Sequence, residues 1–291
     1  MGGADVAHAF TRLLLATQHT EFDVGAERLA LQLAQRCGLP LSTVLPLLSN
    51  PEYEALAPEV ARRAEQQTAQ HMAQLRAQAQ AMGVAIDLIV RRGEEAWIEI
   101  VEEARARASE LIVLRRRGKA GFLANLRVGE MVSKVLAHAQ CPVLFAPRQG
   151  TLWQRAVLVA VQPDAHGLQV LEVAAAVARA GGLPLHGVGV TNAEWTPSDY
   201  ADWRTQAEAR LAETGQTLFL QLRPGKPHEQ ILDAQRASGA DLVVLGSRSA
   251  ASAGRVRVGS VAQKVIGLSD TPTLAVGTVS SLRPTHPEGP L

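Results

Sequence analysis

Apolar positions along this chain follow two rhythms. Short uninterrupted runs rich in Leu and Val recur, and between them lie longer mixed stretches with apolar residues three and four apart. The first rhythm predicts strands buried on both faces, the second amphipathic helices. Residues 240–277, ADLVVLGSRSAASAGRVRVGSVAQKVIGLSDTPTLAVG, show the unit complete. An apolar run at 242–245 stops at Gly246 and a small-residue loop with Arg248, Arg255 and Arg257 follows. Gly259-Ser260 then opens a helical pattern with Val261, Val265 and Leu268 on one face. Thr271-Pro272 ends it, because proline cannot continue a helix and biases its predecessor toward extended backbone. A second apolar run occupies 273–276. Strand, loop, helix, strand in that order requires a parallel sheet.

The same reading predicts strands at 13–17, 41–47, 84–90, 111–114 and 142–145, with helices at 24–37, 58–82, 94–108 and 127–138. Ala26, Leu29, Ala30, Leu33 and Ala34 face inward on the first helix, and Ile98, Val101 and Ala104 on the third. Pro46 suggests that the second strand ends there or lies near an edge. The pattern then starts again, with strands at 157–161, 185–190, 218–222, 242–245 and 273–276 and helices at 167–180, 197–214, 227–237 and from 260.

It starts again because the chain is a repeat. Leu13 to Gln18 matches Val157 to Gln162, and Gly38-Leu39-Pro40-Leu41 recurs as Gly182-Leu183-Pro184-Leu185, both at an offset of 144. Gly129, Lys134, Val135 and Pro142 match Gly259, Lys264, Val265 and Pro272 at an offset of 130. The expected division is a first domain over 1–149, a second over 150–280, and a proline-bearing, disordered tail over 281–291, with a polar joint at Arg148-Gln149-Gly150-Thr151.

Composition narrows the function. A net charge of +1 gives no global drive toward nucleic acid or a membrane, and no apolar run approaches bilayer length. The first residues lack a signal peptide's basic start and long apolar centre, so a reducing, cytoplasmic setting is expected. Cys37 and Cys141, the two cysteines, read as small apolar fillers. The G-x-S-x-G elbow and the Walker loop are absent, and G-x-G-x-x-G follows neither first strand. No two of the eight histidines are spaced as a helical metal pair. His19 and His166 follow the first strand of each repeat, where open sheets bind ligands.

One stretch has chemical potential. A Gly/Ser/Ala loop running into a helix N-terminus brings unpaired backbone N–H groups and a partial positive charge toward an anion. Ser260 either caps the helix or hydrogen-bonds an anion, and Gly246 and Gly259 either cradle a phosphate or merely turn the chain. Arg115-Arg116-Arg117 is either a solvated loop or an anion contact.

With these residues in view, the chain resembles a tandem universal stress protein over nearly its whole length. The family's nucleotide motif, G-x2-G-x9-G-[ST], appears in the second repeat as Gly246, Ser249 in place of the second glycine, then Gly259-Ser260. The first repeat has Arg115-Arg116-Arg117-Gly118, ten residues, then Gly129-Glu130. The aspartate that ends strand one in nucleotide-binding members is Gln18 here in one repeat and Gln162 in the other. The resemblance implies two tandem Rossmann-like α/β domains, each a doubly wound parallel sheet. They form an internal pseudo-dimer through antiparallel pairing of 142–145 with 273–276; whole chains pairing as homodimers is the other possible partnership.

It also implies a non-enzymatic stress-response regulator. An adenine nucleotide, ATP with magnesium, would be bound in the second domain by Ala160, Val161, Gln162, Val188, Leu245, Gly246, Arg248, Ser249, Gly259, Ser260 and Val261, and none in the first. Glu130 would repel a phosphate there. The alternative is a nucleotide-free interaction protein of the same fold. A slow ATP hydrolase comes last, since no base, nucleophile or metal cluster is positioned for it.

Overall fold

The computed structural model describes residues 9–48, 58–116, 129–212, 214–247 and 258–277. The first half runs β1 (Leu13–Ala16), α1 (Val24–Cys37), β2 (Leu41–Leu48), α2 (Pro58–Ala81), β3 (Ile86–Gly93), α3 (Ala96–Ala106), β4 (Leu111–Arg115), α4 (Glu130–His138) and β5 (Val143–Ala146). The second runs β6 (Val157–Val161), α5 (Ala165–Gly181), β7 (Leu185–Thr191), α6 (Pro197–Ala212), β8 (Leu218–Pro224), α7 (Pro227–Ser238), β9 (Leu242–Gly246), α8 (Ser260–Leu268) and β10 (Thr273–Val276).

All ten strands form one sheet in the order β3-β2-β1-β4-β5-β10-β9-β6-β7-β8. Each half is parallel within itself, and the halves meet through antiparallel pairing of β5 with β10, with Leu144 opposite Leu274. The order reads the same from either end, which is the pseudo-twofold that the repeat implies. Helices cover both faces. Side chains of α1, α2, α5 and α6 pack on one face in a core continuous across both halves. Those of α3, α4, α7 and α8 pack on the other.

Local chemistry explains the elements. Gly38 and Gly182 hold equivalent left-handed caps, each at φ 62°, and the following leucine N–H donates to Ala34 or Ala178 in a Schellman bond. Pro46 does not end β2, which runs on to Leu48 as the strand next to the edge. Val44 O accepts from Thr17 N–H, so the same side of β2 two residues on faces past the end of β1, and the missing N–H forfeits no ladder bond. Two further expectations fail. Ile98 is 39% exposed while Ile100 and Glu103 take the inward face beside Val101 and Ala104, and Leu268 is 36% exposed while Ala262 and Ile266 join Val265 in the core. Just beyond the polar joint the chain is anchored: Leu152 and Trp153 are buried, and Asp241 accepts from the N–H groups of Gln154, Arg155 and Ala156.

The edge strand β3 is tied down by charge. Arg91 bonds Glu99 at 2.8 Å and Glu103 at 3.0 Å, and Arg107 bonds Glu103 and Asp87. Glu103 is 3% exposed, so its carboxylate depends on both guanidinium groups. Glu103→Ala leaves two half-buried cations short of a partner and is expected to lower stability by about 1–3 kcal/mol, read from the midpoint of urea unfolding.

Candidate functional site

In the second half the strand order reverses at β6, with β9 on one side and β7 on the other, the place where open α/β sheets leave a crevice. A cavity of about 270 Å³ lies there. Ala160, Val161 and Gln162 reach it from the end of β6, Val188 from β7, and Leu245 and Gly246 from the end of β9. Gly259, Ser260 and Val261 close it from the start of α8. Nine of the eleven residues singled out from the sequence therefore surround one space. Arg248 and Ser249 lie outside the described residues, as do Arg255, Arg257, Arg117, Gly118 and the tail.

The start of α8 is built as a donor array. Gly259 is the N-cap, at φ −60° and ψ 141°, and its N–H donates to Ser247 O at 2.9 Å, tying the helix to β9. The first bond into the helix is Gln263 N–H to Gly259 O, so the N–H groups of Ser260, Val261 and Ala262 precede the ladder. Among the described residues no side chain caps them: Ser260 is the first helical residue, not the cap. The His166 ring packs close on Gly246, and a Cβ there would lie 2.8 Å from His166 Nε2, so a larger residue would displace the ring. His166 sits in the first turn of α5, not in a loop, and packs behind β9 rather than lining the cavity.

On the β7 side the sequence reading named only Val188. Val190, Asn192, Glu194, Trp195 and Tyr200 also line the cavity, as do Pro227 and Ile231 of α7. Tyr200 is 2% exposed; its hydroxyl donates to Val161 O at 3.1 Å and accepts from Val190 N–H at 3.0 Å, joining the ends of β6 and β7. Burial pushes its pKa up to about 12, so it stays a neutral donor. Its ring rests where a Cβ on Gly189 would stand. The readable signal was Thr196-Pro197-Ser198-Asp199, a capping box whose Thr196 N–H donates to Asp199 at 2.7 Å.

The equivalent space in the first half, about 230 Å³, is walled differently. Pro46, Leu48, Ile100 and Met131 make it apolar, and Arg115 stands where the second half has Gly246. Arg115 is neither a solvated loop residue nor a free anion contact. Its guanidinium is 13% exposed and donates to Asp23 at 2.7 Å, Gln18 at 2.8 Å and Thr20 at 3.1 Å. Glu130 opens α4 and pairs with Lys134 at 3.1 Å. His19 lies apart from both spaces' donor ends, its Nδ1 2.8 Å from the buried Glu27 carboxylate and its ring against His71. Among the described residues no group of three or more His, Cys, Asp or Glu could hold a metal ion, and no helix is long and apolar enough to cross a membrane.

The model of the universal stress protein family matches residues 9–147 and again 154–277. The chain belongs to the universal stress protein family. Its tandem fold is also that of solved structures. A universal stress protein from Archaeoglobus fulgidus DSM 4304 superposes with a TM-score of 0.73 at 21% identity, covering 91% of this chain and 97% of that one. A functionally unknown protein from Pseudomonas aeruginosa PAO1 gives 0.66 at 16% identity, with 95% of each chain covered. No curated protein matches the sequence. Two family domains in tandem account for the palindromic strand order, and the differences between their two clefts belong to this chain.

Two expectations follow for these side chains. Burial pushes the Cys141 thiol up to about 12 and raises that of Cys37, so neither forms thiolate near neutrality. Iodoacetamide at pH 8 should label neither in the native protein and both in denaturant, counted by intact mass. Tyr200→Phe strands the Val190 N–H and is expected to lower stability by about 1–2 kcal/mol, measured by urea unfolding.

Proposed function

We propose that this universal stress protein is a non-enzymatic, cytoplasmic regulator of the stress response, divided into domains over 1–149 and 150–280. Its second domain takes one adenine nucleotide, ATP with magnesium in the first instance, and its first domain takes none. The observation that carries the reading is the second-half cavity, which sits at the strand-order reversal and ends on the uncapped start of α8. Three unpaired N–H groups and the helix dipole suit a phosphate. The apolar walls from Val188, Val190, Ile231 and Leu245 suit a base. Magnesium would arrive with the phosphates, since these walls supply no metal cluster. In the first half, Arg115 is already spent on Asp23 and Gln18, and Glu130 sets a carboxylate at the helix start.

The nucleotide-free interaction protein keeps one observation in its favour: Gln162, at the end of β6, is exposed and offers a neutral amide where nucleotide-binding members of the resembled family carry an aspartate.

Titration calorimetry with ATP and magnesium separates the two. The expected result is one site per chain. Gly259 has an ordinary φ of −60°, so Gly259→Asp meets no backbone strain. It adds a capping carboxylate worth roughly a few tenths of a kcal/mol to the helix while repelling phosphate. It should weaken ATP binding at least about tenfold without loss of thermal stability. Gly129→Asp should leave binding unchanged. A wild-type chain that takes no ATP leaves the interaction protein as the function.

A further inference from the structure

The β7 side of the cavity carries an aromatic residue with no assigned role. Asn192 Oδ1 accepts from Glu194 N–H at 2.8 Å and from Trp195 N–H at 2.9 Å, and Asn192 N–H donates to Trp195 O at 3.0 Å. This closed Asx turn runs straight into the Thr196–Asp199 capping box of α6. Trp195 is thus held between two locally hydrogen-bonded devices, so its backbone is fixed before any ligand arrives. The side chain is half-buried and forms part of the cavity wall. Its indole N–H is buried with no hydrogen-bond partner. Native proteins satisfy nearly all such donors, and an orphan beside a cavity marks a place for an acceptor the chain does not itself supply.

Its placement adds the second half of the case. The sheet order β9-β6-β7 sets the start of α8, which follows β9, and the 192–196 turn, which follows β7, on opposite sides of the end of β6. Two strand spacings separate them, roughly 10 Å. One end of the cavity offers backbone donors and a helix dipole. The other offers the Trp195 side chain, its orphan N–H buried within the wall, and the apolar side chains of Val188 and Val190. A ligand that uses both ends has a flat heteroaromatic ring bearing acceptor nitrogen or oxygen, a short polar spacer and an anionic group.

We propose that Trp195 is a ligand-recognition residue of the second domain. Its indole lies against the heteroaromatic ring of the ligand, and a rotation of the side chain within the wall presents Nε1–H to an acceptor on that ring. This rests on the nucleotide reading above and adds what selects the base end. Glu194 lines the same end as the one carboxylate among the described lining residues, so it disfavours a second anionic group there.

The test compares wild type, W195F and W195A, with ATP and magnesium as the probe, by calorimetry and tryptophan emission. Stacking on one base predicts that W195A binds ATP about 5- to 100-fold more weakly, and that W195F, which keeps a ring and loses the N–H, falls between. In wild type, ATP should change the tryptophan emission. In W195F that change should vanish although Trp97, Trp153 and Trp203 remain. Equal ATP affinity in W195F and wild type, or an emission change that persists in W195F, overturns the role of Trp195 and leaves the nucleotide site standing. No ATP binding to wild type removes both. If W195A does not fold, the W195F emission and affinity decide alone.

Discussion

The architecture depends on one pairing, the antiparallel contact of β5 with β10. Each half ends in a four-residue strand with every residue buried, Val143–Ala146 and Thr273–Val276. A half alone would leave that apolar edge open, and an open, flat, apolar edge is a template for aggregation. Pairing the two edges satisfies both rows of backbone groups at once. It also decides where function can lie. Because the two strands run in opposite directions while each half is parallel within itself, the carboxyl ends of the strands point to opposite margins of the sheet. The two crevices therefore face away from each other, and each was free to change without disturbing the other.

The change is visible position by position. Where the second half has Gly246, Val190, Asn192 and Val261, the first has Arg115, Pro46, Leu48 and Met131. The consequence is larger than the loss of a motif glycine. Arg115 turns the end of β4 into an anchor for the β1–α1 loop, and Asp23, 1% exposed, is neutralised by it. A buried carboxylate so paired is costly to unpair, so Arg115 is held in a structural bond at the wall of the first crevice. In the second half, the place that Arg115 would fill is taken by the His166 ring, packed against Gly246 from behind the sheet.

How far the sequence disclosed this follows from the range of the interactions involved. Strands with wholly apolar runs, such as Val157–Val161 and Thr273–Val276, and helices closed by glycine, such as Val24–Cys37, were legible to the residue, because local patterning and capping decide them. Ile98 and Leu268 were misread because three-four spacing fixes a face only to within one helical step, and neighbouring Ile100 and Ile266 fit the core instead. Gly246, Gly259 and Ser260 could be read from glycine spacing, and Ala160, Val161, Gln162 and Val188 from the family resemblance. Trp195 and Tyr200 could not, since nothing local ties a residue after β7 to the end of β6. Only the sheet order brings them together. The closure of the first crevice was hidden for the same reason, as it needs positions 18, 20, 23 and 115 to converge.

Both crevices end on a helix opened by a glycine without a side-chain cap, and the second differs in what faces that start: no carboxylate follows Gly259 where Glu130 follows Gly129. Three N–H groups at the start of α8 lie outside the helical ladder without a side-chain cap, and the indole N–H of Trp195 has no acceptor. The backbone of Gly259 has an ordinary φ and ψ, so glycine there is not demanded by conformation. The same chain does supply acceptors at comparable places: Asp164 caps α5 through Gly167 N–H, and Asp241 gathers three N–H groups of the joint. An uncapped helix start is nonetheless common in this molecule, since among the described residues α1, α3, α4 and α7 also lack a side-chain cap; what sets the second crevice apart is that its uncapped helix start and the orphan indole N–H belong to the wall of one cavity.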